Sequence, residues 1–409
     1  MWENCTHSII EYDMNNFYKQ LEEAIKDAKL PRIIQSGQGA YLKIDGKNKL
    51  NFCSSHYLGL AEDKRIKDAV KEAVQKYGVG TGYRTLAGTH TLHLELEEAI
   101  ANFKGTEASV VFSSAYLANA AAIQTIIGKE DIVISDELNH ASIIDAVRLS
   151  GVKNKFIYKH GDVADLENQL KSAKEFAKNP KSDGNSPLIL IVTDGVFSMD
   201  GDLAPLPEIV RLAKKYEALT MVDDAHGEGV LGKGGRGIVD HFGLLGEVDI
   251  EVGSLSKAFS AMGGFIAGNK IIIGYYNLKA RQRLFSIALS IPDTAASLKA
   301  INILDESDDL VKKLWDNTNY VKKELKKLGF DTGKSETPIT PVMIYDDEKA
   351  RQFSTALYKE DVFATPIVFP MVAKGAARIR VISSASHSRK DLDFGIAAFK
   401  KIGKLLKII

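Results

Sequence analysis

Thr220-Met221-Val222-Asp223-Asp224-Ala225-His226 and, thirty residues on, Ile250-Glu251-Val252-Gly253-Ser254-Leu255-Ser256-Lys257-Ala258-Phe259 share one plan: a short strand-like run that stops at reactive side chains. Comparable apolar runs lie at residues 109–112, 132–135, 156–158, 188–193 and 264–267, so that with 220–223 and 250–253 seven strands alternate with stretches of helical period. This alternation, sustained over about residues 60–270, predicts an α/β fold with a mostly parallel sheet covered by helices on both faces. In such a sheet, ligands gather beyond the carboxyl ends of the strands.

The side chains at those ends point to pyridoxal 5'-phosphate (PLP). A lysine amine can form a Schiff base with the cofactor's aldehyde, and the serine hydroxyls beside it can hold the phosphate. The Asp223 carboxylate can keep the pyridine nitrogen protonated, so that the ring accepts carbanion electrons. Taken alone, Lys257 reads as a solvated surface charge; the Asp-x-x-His at 223–226, the serines and the strand context set it apart. A carboxylate closing a buried strand needs a charged or hydrogen-bonded partner, which a protonated ring nitrogen supplies, and His226 can reach the phenolic oxygen. Asp223-Asp224 also suits a metal ion, but no second ligand cluster accompanies it, and no metal is expected.

Other strand ends carry chemistry too. Ser113-Ser114-Ala115-Tyr116-Leu117-Ala118-Asn119 turns into an alanine-rich helix, either an ordinary N-cap or a seat for phosphate on free N–H groups. His140, in Asp136-Glu137-Leu138-Asn139-His140-Ala141-Ser142, reads as a cap, as a satisfied core residue, or as a ring lying flat on the pyridine. Ser198 stands in an acidic turn or donates to the phenolic oxygen. In Arg378-Ile379-Arg380-Val381-Ile382, alternation sends both arginines to one strand face. They form either an exposed edge pair or a bidentate grip on an amino-acid carboxylate.

Composition sets the outer bounds. The 409 residues are 45% hydrophobic, with 53 basic and 53 acidic side chains, enough core for two packed domains and no charge excess favouring nucleic acid or an acidic membrane. Basic clusters such as Lys322-Lys323-Glu324-Leu325-Lys326-Lys327 read as solvated helix faces. Cys5 and Cys53 lie far apart, and without a signal peptide they suggest a reduced, cytoplasmic setting, with Cys53 a small buried hydrophobe. No apolar run approaches the roughly 18–20 residues of a membrane span. Phe17, Leu21, Ala24, Ile25 and Ala28 predict an amphipathic packing helix over 14–29, and Asp45-Gly46 a hairpin of 41–44 with 49–52. Past about residue 290, a helix carrying Leu310, Leu314 and Leu325, strands at 341–345 and 377–382 and a closing helix over 389–406 predict a smaller α+β unit. The expected division is an arm of helix and hairpin (1–55), a large PLP-binding domain (56–290) and a small C-terminal domain (291–409). No glycine-rich phosphate fingerprint follows an early strand, which argues against a simple nucleotide-binding domain.

Together these stretches resemble the α-oxoamine synthases, a family of fold-type I PLP-dependent acyltransferases. The similarity runs from Arg32 to the final helix. It is nearest to the glycine C-acetyltransferase (2-amino-3-ketobutyrate CoA ligase) branch, through Ser135-Asp136-Glu137-Leu138-Asn139-His140-Ala141-Ser142-Ile143-Ile144-Asp145 and Val192-Thr193-Asp194-Gly195-Val196-Phe197-Ser198-Met199-Asp200-Gly201. The resemblance implies Lys257 as Schiff-base lysine, Asp223 as partner of the pyridine nitrogen and His140 stacked on the ring. It implies Ser198 and His226 at the phenolic oxygen, and Ala115, Tyr116 and Ser254 around the phosphate. Ser286 matches a phosphate contact drawn from the neighbouring subunit, hence a homodimer with a shared site. Arg380 matches the residue that holds the substrate carboxylate, and Arg32 one near the acyl-CoA entrance. The expected reaction joins glycine to acetyl-CoA with Lys257 as base. Sister activities are 8-amino-7-oxononanoate synthesis from alanine and a pimeloyl thioester, and serine palmitoyl transfer. A non-catalytic partner subunit is a reading of another class, against which the retained Lys257 argues. Three positions depart from the family pattern: Ser55-His56 where asparagine usually precedes Tyr-Leu-Gly, Met371 in place of a threonine, and Ser260 in place of a glycine. The first two lie on the substrate-carboxylate side.

Overall fold

The computed structural model describes residues 14–26 and 31–409; Cys5 and Ala28 lie outside them. The first helix is Met14–Ile25, and its Phe17, Tyr18, Leu21 and Ile25 are exposed, so the apolar stripe has no cover among the described residues. A hairpin follows, β1 (Tyr41–Ile44) and β2 (Lys47–Asn51), with Ile44 opposite Lys47. Asp45 and Gly46 take φ of 52° and 74°, the left-handed pair that lets a two-residue turn follow the strand twist.

All seven strand readings in the large sheet are strands: β3 (Ala108–Phe112), β4 (Ile132–Asp136), β5 (Asn154–Tyr158), β6 (Ile189–Asp194), β7 (Leu219–Asp223), β8 (Ile250–Ser254) and β9 (Gly264–Gly268). Their order is β3-β9-β8-β7-β6-β4-β5. Pairing is parallel throughout except at β9, which runs against both neighbours. The carboxyl ends of the other six therefore share one edge.

Every residue of β6 and of β8 is buried, as expected of strands covered on both faces. On one face Val133, Leu190, Val192, Met221 and Val252 pack against Ala118, Ala121, Ala122 and Ile143 of helices Ala115–Gln124 and Ala141–Ser150. Alanine at successive positions lets the first of these helices lie close to the sheet. On the other face Val111, Val222, Phe265 and Ala267 meet Leu96, Ile100 and Phe103 of helix Thr91–Lys104. Each fully buried Val, Leu or Ile contributes about 1.5–3 kcal/mol relative to exposure, which is what holds the strand ends in place.

The C-terminal part adds β10 (Ile339–Met343), β11 (Val362–Phe363), β12 (Thr365–Ile367) and β13 (Arg378–Ile382), with β13 central in the order β10-β13-β12. Pro341 is tolerated because β10 is an edge strand. β11 pairs in parallel with β2, and Leu50 and Phe52 share a core with Phe330, Phe353 and Phe399. The N-terminal hairpin is thus built into the C-terminal layer. The closing helix, Arg389–Leu405, starts from a reciprocal Ser388–Asp391 capping box. Lys322 departs from the solvated-face reading: it is half-buried and donates to the carbonyls of Ser335 and Thr337, and burial lowers its pKa to about 8.

Candidate functional site

The site lies where β3, β4, β6, β7 and β8 end. β7 closes on Asp223, 6% exposed, whose Oδ2 accepts from Asn119 Nδ2 at 2.6 Å and whose Oδ1 accepts from the Ala225 N–H at 3.0 Å. β6 closes on Asp194, the registered neighbour of Asp223. Asp194 Oδ2 accepts from the His140 N–H at 2.8 Å, and burial, with Asp223 adding to it, pushes its carboxyl well above the usual range.

His140 caps helix Ala141–Ser150, with Nδ1 accepting from the Ser142 N–H at 3.2 Å. Burial lowers its pKa; Asp223 opposes this and Lys257 adds to it. Lys257 stands three residues past β8. Burial lowers its amine below the ordinary lysine value, while the Asp223, Glu228 and Asp194 carboxylates pull the other way and Arg380 lowers it further. His226 shares a 2.8 Å hydrogen bond between Nδ1 and the buried Tyr57 hydroxyl. Burial holds it well below its usual pKa, and Lys257, Arg380 and His140 deepen the effect, so its imidazole is neutral.

β13 brings its arginines to the turn after β6. Arg380 Nη1 donates to the Ser198 carbonyl at 3.1 Å. Arg378 is 4% exposed, donates to the Met199 carbonyl at 3.2 Å and pairs with the Asp200 carboxylate. Neither is an exposed edge residue: Arg378 fastens the loop, and the Arg380 charge acts on His226 and Lys257.

At the end of β3, Ser114 Oγ caps helix Ala115–Gln124 by accepting from Leu117 N–H at 3.2 Å. Among the described residues, the N–H groups of Ala115 and Tyr116 have no acceptor. Ser254 Oγ, at the end of β8 on the far side of β9, lies 2.7 Å from Ser256 Oγ. A Cβ at Gly264, where β9 begins, would overlap the Ala115 backbone, so that glycine is what lets helix and strand meet. The donors fit PLP: free helix N–H groups and hydroxyls for a phosphate, a buried carboxylate for a ring N–H, and an amine beside it for an aldehyde.

The side chains of Tyr116, Ser286, Arg32 and Met371 lie outside this cluster, whereas Ser55 joins it through Tyr57. Tyr116 is 45% exposed and donates to Asp145 Oδ2 at 2.8 Å. Ser286 sits between exposed Phe285 and Ile287 on the rim of an apolar cleft shared with Thr81, Tyr83 and Leu86. Arg32 stacks on the Tyr358 ring at 3.5 Å and reaches Asp45 at 3.5 Å. Met371 is exposed, just past the cis Phe369–Pro370 bond. Ser55 is half-buried beside the buried Tyr57. Cys53 is less apolar in setting than expected, with Sγ 2.8 Å from Thr365 Oγ1.

Two of the three departures touch each other: His56 Nδ1 and Ser260 Oγ are 2.9 Å apart. Ser260 has φ of 57°, a conformation that favours glycine, and its hydroxyl is 3.3 Å from the Lys257 carbonyl. The hydrogen bonds offset the strain that a serine incurs there.

Sequence reading missed Asn119, Tyr57 and Asp194. Asn119 lay in a quoted motif, four residues past Ala115, one helical turn from the helix start; that spacing was its signal. His160 was also missed, a ring between Asp136 (3.1 Å) and Asp202 (2.8 Å).

The described residues include no helix long and apolar enough to cross a membrane. Comparison with known proteins matches residues 47–399 to the family model "Aminotransferase class I and II". An 8-amino-7-oxononanoate synthase of Thermosipho melanesiensis is 57% identical over 402 residues, 97% of this chain and 100% of that protein. One from Fervidobacterium nodosum is 56% identical, covering 96% and 99%. Among solved structures, SPT with PLP superposes with a TM-score of 0.88 at 30% identity, covering 97% of this chain and 98% of that one. A serine palmitoyltransferase of Sphingomonas wittichii gives 0.88 at 28%, covering 98% and 99%.

Proposed function

Because the chain belongs to the class I and II aminotransferase family, and within it to the PLP-dependent acyltransferases of the α-oxoamine synthase type, we propose that it is an 8-amino-7-oxononanoate synthase. It would join alanine to a pimeloyl thioester and release the thiol and carbon dioxide. The observation that carries this reading is identity above half, over essentially the whole chain, to relatives of that name. The motifs quoted above sit nearest the glycine C-acetyltransferase branch; the relatives favour the sister activity, and glycine C-acetyltransferase becomes the outcome to be tested against it.

Bound PLP supplies an electron sink for a carbanion at the amino-acid α-carbon. The protein supplies the rest. Lys257 is the amine that would hold the cofactor's aldehyde and serve as base for the α-proton; an amine held below its ordinary pKa is suited to that task. Asp223, fixed by Asn119 and a backbone N–H, would keep the ring nitrogen protonated. His140, in its capping position, would stack on the ring. Ser198 and His226 would serve the phenolic oxygen. Ala115, Tyr116 and Ser254 would hold the phosphate through N–H groups and a hydroxyl. Arg380 would orient the substrate carboxylate, Ser55 and His56 join that end through Tyr57 and Ser260, and Met371 and Arg32, outside the cluster, are assigned to the substrate side and acyl entry by the family resemblance.

We read the assembly as a homodimer in the cytoplasm, with Ser286 completing the phosphate site of the second copy. The exposed Leu86, Phe285, Ile287 and helix Met14–Ile25 support it, since the described residues of one chain leave these apolar groups uncovered. The deciding experiment measures thiol release with alanine, glycine and serine crossed against pimeloyl, acetyl and palmitoyl thioesters. Alanine with pimeloyl thioester should give the highest kcat/KM. A maximum at glycine with acetyl-CoA would return the protein to the other branch.

A further inference from the structure

Directly behind the site is a cluster of charges that the chemistry above does not use. Lys104, the last residue of helix Thr91–Lys104, is 1% exposed. Its ammonium lies 2.6 Å from Asp224 Oδ2, 3.1 Å from Glu251 Oε2 and 3.8 Å from Glu228 Oε1, and all three carboxylates are buried. One cation facing three acids is an expensive arrangement in a protein interior. The fold makes room for it deliberately: a Cβ at Gly253 would strike Glu228 Oε1, and one at Gly227 or Gly237 would strike the Asp224 carboxylate.

The cluster is joined to the reactive residues by short paths. Asp224 follows Asp223 and accepts from the Ile238 N–H at 3.1 Å. Glu251 is in β8, and Glu228 Oε2 accepts from the Ser254 N–H at 2.9 Å, at the strand end that leads to Lys257. Glu228 is also among the carboxylates that act on Lys257. The groups acting on Glu228 are Lys104, Asp224, Asp223 and the Ser254 N–H, Glu228 in turn acts on Lys257, and Glu251 shares the Lys104 ammonium with it. Its Oε2 accepts from the Ser254 N–H, and its Oε1, without a hydrogen-bond partner among the described residues, has the Lys104 ammonium 3.8 Å away, so a donor and a cation favour the ionised form. Burial pushes the Glu228 carboxyl well up, and Lys104 is the largest influence pulling it down.

We propose that Lys104 is a positioning residue: through Asp224, Glu251 and Glu228 it fixes the ends of β7 and β8, and it keeps an anionic Glu228 behind the Lys257 nitrogen. The proposal rests on the PLP reading of Lys257. The test titrates the visible absorbance of the holoenzyme against pH in the wild type, Lys104→Met, Glu228→Gln and the double variant. Glu228→Gln should lower the midpoint by about one pH unit by removing a negative charge near the lysine nitrogen, and Lys104→Met by a similar amount, because without the ammonium the buried Glu228 carboxyl takes up a proton. The double variant should go no lower, since both act through one carboxylate. An unmoved midpoint in Glu228→Gln, or shifts that add, overturns the proposal. Should Lys104→Met not fold, Glu228→Gln alone decides. If the wild type takes up PLP without a Lys257-dependent visible band, it is the PLP assignment of Lys257 that fails instead.

Discussion

Asp194 and Asp223 are directly paired across β6 and β7, so two buried carboxylates stand side by side at the floor of the site. Their surroundings divide the work. Asp194 is held by a backbone N–H and pushed toward its neutral form, whereas Asp223 has Asn119 and its own chain beneath it. Asp223→Asn should therefore lower kcat/KM by roughly two to three orders of magnitude, the equivalent of a broken buried ion pair. Asp194→Asn, which keeps an acceptor for His140, should cost less than about tenfold. Equal losses in steady-state kinetics would contradict this division.

Lys257→Ala should abolish the visible band of the purified protein and lower turnover by about 10²–10⁴-fold, the usual worth of a positioned base. Spectra and single-turnover rates check the two parts separately.

Arg380→Lys keeps the charge but loses the planar fork. Its effect should fall on KM for the amino acid, raised about tenfold, with KM for the thioester little changed. Initial rates with each substrate varied in turn will show which constant moves.

Much of this was readable in advance because each element obeys a local rule. The seven strands were apolar runs, and their ends named Asp223, His226 and Lys257. What escaped depended on contacts across the chain. Alternation put Arg378 and Arg380 on one face of β13, but only packing shows Arg378 tied to Asp200 while Arg380 meets Ser198. Lys104 looked like any lysine closing a helix, since its three acids come from segments more than a hundred residues away. His56 and Ser260 read as unrelated oddities until the fold set them 2.9 Å apart.

His160 gives a pH signature. Hydrogen bonds to Asp136 and then Asp202 push its pKa up to about 10, against burial. A folded-state value above the unfolded one, near 6.5, means the stabilisation is complete below that pH and is lost as pH rises through about 10. His160→Gln should thus lower the melting temperature most at pH 6, with the gap from wild type closing toward pH 10. A gap that is constant over this range would show that the imidazolium is not what clamps the loop.

Gly264→Ala should press the start of helix Ala115–Gln124 away from β9. Overpacking of this kind costs about 1–3 kcal/mol, and phosphate affinity should suffer with it. Calorimetry of the PLP-free protein, followed by cofactor titration, measures both.

The pairing of β2 with β11 has a consequence for biosynthesis. Leu50 has its partner at Val362, so the earliest strands to leave the ribosome must wait for nearly the whole polypeptide before they can be zipped in. Truncations that remove the last quarter of the chain should leave the central sheet assembled and the hairpin loose, an easy target for a protease.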